Sequence, residues 1–518
     1  MRWRLELLGA AAAVGVLAAC AIAGHMVGLK ASMAVSAGGS RPWPAARTRT
    51  PSSPVSVLAA AAPGDVTARF ARTLFATAPV VVVSAPGGAA LPAAASAAHA
   101  TRAPMLLFSP GQAGRLAGAV RALHPVAVLA VGLSPAGRDA LAAGLPGVRV
   151  VSTRQGLPAT GVQAPLTRVA VLVPAPASAP GQAGSTSEVS AEITAVTVTA
   201  RAAGAAVIGV AGADPRADPA AIAGLARQRP SVVVAVGTQF GPVARLAARL
   251  ATAETGRQLP GGGQVMFPGR RLVALYGHPG TPGLGVLGQQ DLAASIARAR
   301  RMADQYRSLS SVPVVPAFEI IATVAEASPG PDETYSYQTP DLLPWVRQAI
   351  ANGLYVVLDL QPGRASFLQQ AEDYQSLLEL PDVGLGLDPE WKLQPGQRPL
   401  RQIGHADIGE VNGVVRWLAA LTARYHLPQK LLVLHQFQLA MIQGEQDLDT
   451  SHDDLSIVIH MDGQGTPAVK QATWNAVTAA APDGVFFGWK NFLVKDHPML
   501  APRQTMANAP VPVMISYQ

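Results

Sequence analysis

Two acidic residues that follow a short, glycine-containing apolar run are the strongest chemical signal in the sequence. The segment VGLGLDPEWK is typical of a buried strand, and residues two apart on a strand point to the same side. We therefore predict that Gly384, Gly386, Asp388 and Glu390 share one face. When two carboxyl groups are crowded together, the pKa of one rises, so that one can donate a proton while the other stays charged. Cleavage of a glycosidic bond needs this division of roles, and the distance between the carboxyl groups decides between a retaining and an inverting route.

The acidic pair closes one of eight apolar runs in the C-terminal half of the chain. Each run is short enough for a buried parallel strand, and stretches with helical periodicity separate the runs. The runs are RLVALYGHP, VPVVPAFEI, YVVLDLQPG, VGLGLDPEWK, KLLVLHQFQ, LSIVIHMDG, DGVFFGWKN and VPVMISYQ. Eight such repeats over about 250 residues predict a (β/α)8 TIM barrel.

Polar residues end nearly every one of these runs. Because the loops that follow the strands of such a barrel form its active-site face, we expect these side chains to converge on one pocket. The candidate catalytic residues are Glu390, Asp388, Glu319, Asp359 and Asp462. The candidate substrate-binding residues are His278, His435, His460, Gln361, Trp391, Trp489, Lys490 and Tyr517. The aromatic rings among them would stack on sugar rings through their apolar faces.

The D-x-E motif at the end of the fourth predicted barrel strand resembles the motif of family 18 (chitinase-like) and family 25 (lysozyme-like) glycosidases. The resemblance implies that Glu390 is the acid and that Asp388 is its partner, which holds an acetamido group or balances charge. It also implies a substrate that contains N-acetylated sugars. The barrel as a whole resembles a group of uncharacterised actinobacterial exported proteins that carry YVVLDLQPG, LDPEW and HQF.

Two other chemistries stay open for the same residues. His278, His435 and His460 together with Asp462 would suit a divalent metal, although the sequence has no HExxH or H-x-H pair to support one. Lys490 could form a Schiff base, or it could pair with a neighbouring carboxylate. The leading expectation is a site without metal or cofactor.

The composition indicates a globular protein of two or three domains. The chain has 518 residues, of which 49% are hydrophobic and only 14% are charged, so buried strands are well supplied and disorder is excluded for the bulk. The formal net charge of +8 favours anionic surroundings. No cluster of basic residues interleaved with aromatics lies beyond the N-terminal linker, so nucleic acid is not an expected partner.

The N-terminus is typical of an export signal. Arg2 and Arg4 precede an apolar run, and the segment LAAC, which ends at Cys20, resembles a bacterial lipobox. Residues 1–30 are therefore predicted to be either a lipoprotein signal with lipidation at Cys20 or an uncleaved membrane anchor. Cys20 is the only cysteine, so no disulfide can form within the chain. Residues 31–64, rich in Ser, Pro and Arg, are predicted to be an extended linker.

Residues 65–268 alternate Val-rich runs with helical stretches, which predicts a doubly wound parallel α/β domain ahead of the barrel at 269–518. RLAGAVRALHPVAVLAVG recurs as AIAGLARQRPSVVVAVG, with Pro125 aligned to Pro230, and this indicates an internal duplication. Glycine-rich turns follow the strands, but none has dinucleotide-binding spacing, so a nucleotide cofactor is not expected. The first copy, with its Ala-rich helix and APMLLFSP, resembles the cell wall-binding repeat 2 family. That resemblance implies noncovalent attachment to anionic wall polymer.

These observations lead to three functional hypotheses. The first is an exported, membrane-tethered protein of the cell envelope whose α/β domain binds the wall and whose glycoside-hydrolase-like barrel acts on envelope glycan. The second is a non-catalytic protein that binds wall polymer, and the third is a metal-dependent hydrolase. Glycan or wall polymer is the expected partner in the first two, with the membrane contacted through the N-terminal anchor.

Overall fold

The Val-rich part of the chain folds into parallel strands that alternate with helices, as the sequence predicts. The structure, a computed structural model, describes residues 43–59, 63–109, 111–175, 187–327 and 332–518. The elements before the barrel are β1 (Ala46–Thr48), β2 (Val55–Leu58), α1 (Pro63–Leu74), β3 (Phe75–Thr77), β4 (Val80–Ser84), α2 (Ala90–Thr101), β5 (Met105–Leu107), α3 (Ala113–Arg121), β6 (Ala127–Val131), α4 (Pro135–Ala143), β7 (Arg149–Val151), β8 (Val162–Gln163), β9 (Val169–Pro174), α5 (Ser187–Ala202), β10 (Ala206–Val210), α6 (Pro219–Gln228), β11 (Val232–Val236) and α7 (Val243–Ala253).

The strands of this region divide into two four-stranded parallel sheets rather than one. Their orders are β5-β4-β6-β7 and β10-β9-β11-β2, and a small third sheet has the order β3-β1-β8. Both faces of the two larger sheets carry buried apolar side chains packed against helices, which explains why their strands are almost wholly apolar. Helix α5 contributes to the core shared by both sheets, and its Thr199 hydroxyl accepts the backbone N–H of Met105 at 2.9 Å.

The linker predicted for residues 31–64 is wrong for its second half. Residues 46–48 and 55–58 form β1 and β2, and Ala46 is 1% exposed. Val55 and Val57 pair in parallel register with Val233 and Ala235 of β11. Pro- and Ser-rich residues on both sides make this segment resemble a linker, and the strand with which β2 pairs, β11, lies far away in the chain. Residues 31–42 lie outside the described part.

The two copies of the duplicated segment occupy equivalent places. Each copy places a helix before the strand that is third in the spatial order of its sheet, and these strands are β6 and β11. The residue before each aligned proline is left-handed, with φ of 50° at His124 and 42° at Arg229. Helices α3 and α6 end before these residues, because a proline cannot continue the helical hydrogen-bond ladder.

The C-terminal half contains the predicted barrel strands together with their helices. Its elements are β12 (Arg271–Gly277), α8 (Leu292–Arg307), β13 (Val314–Ala325), β14 (Thr334–Ser336), α9 (Thr339–Ala351), β15 (Tyr355–Leu360), α10 (Phe367–Asp373), α11 (Gln375–Leu378), β16 (Val383–Leu387), β17 (Ala406–Asp407), α12 (Ile408–Arg424), β18 (Lys430–Gln436), β19 (Ile442–Gln443), β20 (Leu455–Met461), α13 (Pro467–Ala480), β21 (Phe486–Asn491), α14 (Pro502–Thr505) and β22 (Met514–Tyr517).

Eight of these strands close into a parallel barrel, which confirms the predicted TIM-barrel fold. Going round the barrel, the order is β12, β13, β15, β16, β18, β20, β21 and β22, and β12 pairs in parallel with both β13 and β22. Each of the eight corresponds to one apolar run. Strand β14 adds antiparallel to the end of β13 and takes no part in closure.

Side chains alternate between the outside and the inside of the barrel. The outward ones, such as Leu358, Leu385 and Leu432, share a core with Val346 of α9 and Val414 of α12. The inward ones in the lower half form a separate apolar cluster. The barrel and the α/β region belong to one structural unit from Trp43 to Gln518.

The connection between the α/β region and the barrel is fixed by packing and by charge. Leu259, Met266 and Phe267, which lie just before β12, pack into the apolar cluster at the lower end of the barrel. Asp453, before β20, accepts hydrogen bonds from Arg216 at 2.7 Å and from Arg249 at 2.7 and 2.8 Å. The lower end is therefore covered, and the carboxyl ends of the strands remain as the mouth.

Candidate active site

Charged and polar side chains converge inside the upper half of the barrel, as the sequence predicts. Glu319 (β13), Asp359 (β15) and His435 (β18) are fully buried, and Asp388 and Asp462 follow directly after β16 and β20. Their strands lie side by side in the closed sheet, so residues far apart in sequence share one interior. The predicted convergence therefore holds for these four carboxyl groups and for His435.

His435 connects the acids. Its Nε2 lies 3.1 Å from Glu319 Oε1 and 3.5 Å from Asp359 Oδ1, and its Nδ1 lies 3.2 Å from Asp462 Oδ2. Burial by itself would lower the pKa of His435, but Asp359 and Glu319 together raise it well above the ordinary value. The acidic groups around His435 therefore favour its protonated, imidazolium form.

Asp388 and Glu390 lie side by side, although the strand does not extend to both. Strand β16 ends at Leu387, and Pro389–Trp391 form a 3-10 turn that carries Glu390. Carboxyl oxygens of Asp388, Glu390 and Asp462 nevertheless lie within 4.8 Å of one another. Asp388 and Glu390 are therefore adjacent as predicted, but a turn brings them together instead of the alternation of a strand.

The environments of these carboxyl groups drive their pKa values apart. Burial, reinforced by repulsion from Asp462, raises the pKa of Glu390 to about 7. Burial and the neighbouring Glu390 raise the pKa of Asp388 well above its usual range. Burial would also raise the pKa of Asp462, but the contact with His435 and the charge of Lys490 lower it overall. One acid therefore keeps its proton near neutrality while its neighbour is ionised.

A cavity of about 520 Å³ opens above these groups at the mouth of the barrel. Glu390, Asp462, Lys490, Trp391 and Gln361 all line it, whereas Asp388, Glu319 and Asp359 lie below the lining. A ligand in the cavity would meet the neutral acid and the charged carboxylate directly. Trp391 supplies an aromatic ring at the same surface.

Two predicted substrate-binding aromatic residues point to the wrong side of the sheet. Trp489 is fully buried against Trp474 on the outside of the barrel, and its indole N–H donates to Asn491 at 2.9 Å. The hydroxyl of Tyr517 lies 2.6 Å from that of Tyr306 on helix α8. Each of the two follows or precedes an inward-facing residue, so strand alternation turns it outward. Neither Trp489 nor Tyr517 can bind a ligand in the cavity.

None of the three predicted histidines lines the cavity, and His435 lies among the carboxylates beneath it. Gly277, with a φ of 140°, redirects the chain, and His278 stacks on Tyr337 with 3.4 Å between ring centroids beside a separate cavity of about 540 Å³. His460 faces inward, but its Nε2 lies 2.7 Å from the Ser516 hydroxyl, and burial lowers its pKa well below the ordinary value. His278 therefore lies outside the central site, and His460 is a neutral residue beneath it.

Two further residues contribute to the site that the sequence analysis did not identify. The hydroxyl of Tyr276 donates to Asp359 Oδ2 at 2.8 Å and accepts the Gln361 side-chain amide at 3.4 Å. Gly488 makes room for His460, because a Cβ there would lie 2.0 Å from its Nδ1. Tyr276 could have been found from alternation, since it continues the inward series of Leu272 and Ala274. The role of Gly488 depends on a cross-strand distance that the sequence does not contain.

Lys490 lies against both the aromatic and the acidic groups of the site. Its ammonium is 3.5 Å from the ring centroid of Tyr276 and 4.0 Å from Asp462 Oδ2. The strand at this point is held by Lys470, which donates to the Lys490 carbonyl at 2.6 Å and to Asp496 at 2.6 Å. The predicted contact between Lys490 and a carboxylate is therefore present, although it is long.

The alternative of a metal held by His278, His435 and His460 with Asp462 is not supported by the described part of the chain. In the described part of the chain, the group that could hold a metal ion consists of the carboxylates of Asp388, Glu390 and Asp462. No histidine belongs to it. The predicted lipidation site, Cys20, and the predicted anchor lie outside the described residues. Within the described ranges, no helix is both long enough and apolar enough to cross a bilayer.

No protein-family model matches the sequence, and no curated protein matches it significantly.

Proposed function

We propose that this protein is a glycoside hydrolase that acts on a glycan of the cell envelope. In this proposal Glu390 protonates the glycosidic oxygen, and ionised Asp462 acts on the anomeric carbon from the other side of the bond. The observation that carries the proposal is the pair of carboxyl groups lining one cavity with pKa values shifted in opposite directions. The acid first inferred from the D-x-E motif is retained, and its partner becomes Asp462 because Asp388 lies beneath the cavity.

The separation of the two carboxyl groups favours a retaining route. Oxygens of Glu390 and Asp462 lie within 4.8 Å of each other, and retaining enzymes hold their carboxyl groups about 5 Å apart, whereas inverting enzymes need about 6.5–9.5 Å to admit a water. Asp462 would then be the nucleophile and form a glycosyl ester as the leaving oxygen takes the proton of Glu390; water would hydrolyse this ester while Glu390, now ionised, accepts the proton of the water. Release of the sugar with retained anomeric configuration, followed by NMR, is the expected outcome.

The residues below the cavity would support this chemistry without touching the substrate. His435 lies 3.2 Å from Asp462 and keeps it ionised, and Glu319 and Asp359 in turn keep His435 protonated. Trp391 would stack on a sugar ring. Export, membrane tethering and wall binding by the α/β region complete the proposal, and they rest on the N-terminal sequence and the repeat resemblance.

The decisive test is Glu390→Gln, assayed by the release of reducing sugars from purified cell wall. Loss of a general acid costs about 100- to 10,000-fold in rate. Glu372→Gln, which changes an exposed glutamate on α10, is the matched control and should leave the rate unchanged. If the wild type releases no sugar while Glu390→Gln still binds wall, the non-catalytic binding function replaces this one.

A metal-dependent hydrolase is the second candidate, because three carboxylates lie close enough to share one cation. The glycosidase is preferred because His435 at 3.2 Å and Lys490 at 4.0 Å from Asp462 already bring positive charge to this group. Activity that a chelator abolishes and a divalent cation restores would favour the metal enzyme.

A further inference from the structure

Lys490 differs from the other buried lysines in how its ammonium is satisfied. Three lysines are buried in the described chain: Lys430, Lys470 and Lys490. Lys430 donates to the Val383 carbonyl at 2.8 Å, and Lys470 donates to a carbonyl and to Asp496, both at 2.6 Å. The Lys490 side chain is only 4% exposed, yet its nearest carboxylate oxygen is 4.0 Å away, beyond hydrogen-bond distance.

The N–H donors of Lys490 that no side chain of the described residues accepts face the cavity and are not sealed from it. An ammonium has three N–H donors, and a desolvated charge needs hydrogen bonds as well as a counter-charge. The Tyr276 ring at 3.5 Å offers a cation–π contact, but it does not accept the conventional hydrogen bonds that the ammonium can make. Because Lys490 lines the cavity, a ligand there could accept the remaining bonds.

The surroundings make an anionic acceptor suitable. Lys495, five residues further along the chain, is exposed and lines the same cavity, so it adds a second positive charge. Of the two side-chain carboxyl groups in the lining, Asp462 is the charged one, whereas Glu390 is mostly protonated below pH 7 because burial raises its pKa to about 7. Charge-assisted bonds from an ammonium to an oxyanion are roughly twice as strong as neutral ones.

We propose that Lys490 binds an oxyanion of the substrate, so that the glycan carries carboxylate or phosphate groups beside the bond that is cleaved. This inference rests on the proposed function and specifies its substrate class. Lys495 strengthens the attraction at the cavity mouth.

The test is a calorimetric titration of the full chain carrying Glu390→Gln, which binds without turnover. The probes are soluble wall glycan fragments in three forms: untreated, carboxyl-reduced, and stripped of phosphate with hydrofluoric acid. We expect untreated fragments to bind about 10-fold or more tighter than one of the treated forms, which identifies the oxyanion. Binding that is equal for all three forms, or undetectable for untreated fragments, would overturn the inference.

Variants assign the effect to the lysines. Added to the Glu390→Gln chain, Lys490→Gln should remove the preference for untreated fragments, and Lys490→Arg should keep most of it. Lys495→Gln, at an exposed position, should reduce the preference severalfold, and it remains informative if Lys490→Gln does not fold. Arg503→Gln, an exposed change of the same charge on α14, should have no effect. An unchanged preference in both lysine variants would contradict the assignment.

The two proposals fail in different ways. If the wild type cleaves all three preparations with equal kcat/KM, the glycosidase stands and the acidic substrate is rejected. If binding discriminates between the preparations but the wild type cleaves none of them, the acidic ligand stands and the glycosidase is rejected.

Discussion

The lower and upper halves of the barrel interior are built by the same strands but perform opposite tasks. In the lower half the inward residues are apolar, such as Ala274, Ala317, Val357 and Val433, and the segment before β12 packs against them. Two residues further along, the same faces carry charged or hydrogen-bonding groups. These upper residues are Tyr276, Glu319, Asp359 and His435. Strand alternation is identical in both halves, so only residue identity separates stability from chemistry.

The difference shows that stability explains the residues of the lower half but not those of the upper half. Each fully buried valine or leucine side chain of the lower half contributes about 1.5–3 kcal/mol through the hydrophobic effect. Buried carboxylates and imidazoles gain much less, because desolvation offsets their mutual attraction. A well-packed apolar core would stabilise the upper half better. A cluster of Glu319, Asp359, Asp388, His435 and Asp462 is therefore best explained by a chemical role.

Among substitutions that test this difference between the two halves, we expect the largest loss of activity at Asp462 in the upper half. Asp462→Asn removes the ionised carboxylate and should lower kcat/KM on wall glycan by about 100- to 10,000-fold, while the apolar lower half keeps the barrel folded. Steady-state kinetics together with circular dichroism measure both. Asp483→Asn, at an exposed position before β21, is the control. Asp462→Asn leaves the cavity without its second carboxylate, so full activity in this variant would contradict the mechanism.

A lower-half substitution should have the converse result. Leu431→Ala on β18 truncates a fully buried side chain, and it should reduce the free energy of unfolding by about 2–5 kcal/mol in denaturant titrations. The pH dependence of activity should not change, because the substitution lies in the apolar cluster and touches none of the acids. A shifted pH profile in folded Leu431→Ala protein would show that the two halves are coupled.

Most of the barrel was predictable because each strand carries its own signal. The eight runs are apolar, short and bounded by turns, and parallel strands with both sides buried require this pattern. Strand β2 was not predictable, since Val55 and Val57 lie in a Pro- and Ser-rich stretch and pair with β11 much later in the chain. Among the described strands of the second sheet, only β2 is recruited from outside the consecutive block β9 to β11.

The site was predictable to the extent that strand parity determines direction. Residues such as Glu319, Asp359 and His435 converge because closure brings the strand ends together. The predicted substrate-binding roles of Trp489 and Tyr517 were wrong, and strand alternation could have excluded the role of Trp489. Trp489 and Lys490 are adjacent on one strand, so they cannot both face inward. The direction of His278 depends on the positive φ of Gly277, and the charge of Asp462 depends on distances to His435. Neither can be derived from sequence alone.

The pH dependence of the reaction offers the smallest but most specific test. Glu390 acts only when protonated, and because burial raises its pKa to about 7, kcat/KM should fall about tenfold per pH unit above pH 7. Asp462 acts only when ionised, and its lowered pKa places the acid limb below the usual aspartate range. Leu431→Ala should reproduce both limbs. An aryl glycoside whose leaving group needs no proton should lose the alkaline limb. If that limb persists with the aryl glycoside, a group other than Glu390 causes it, and the assignment of the acid is wrong.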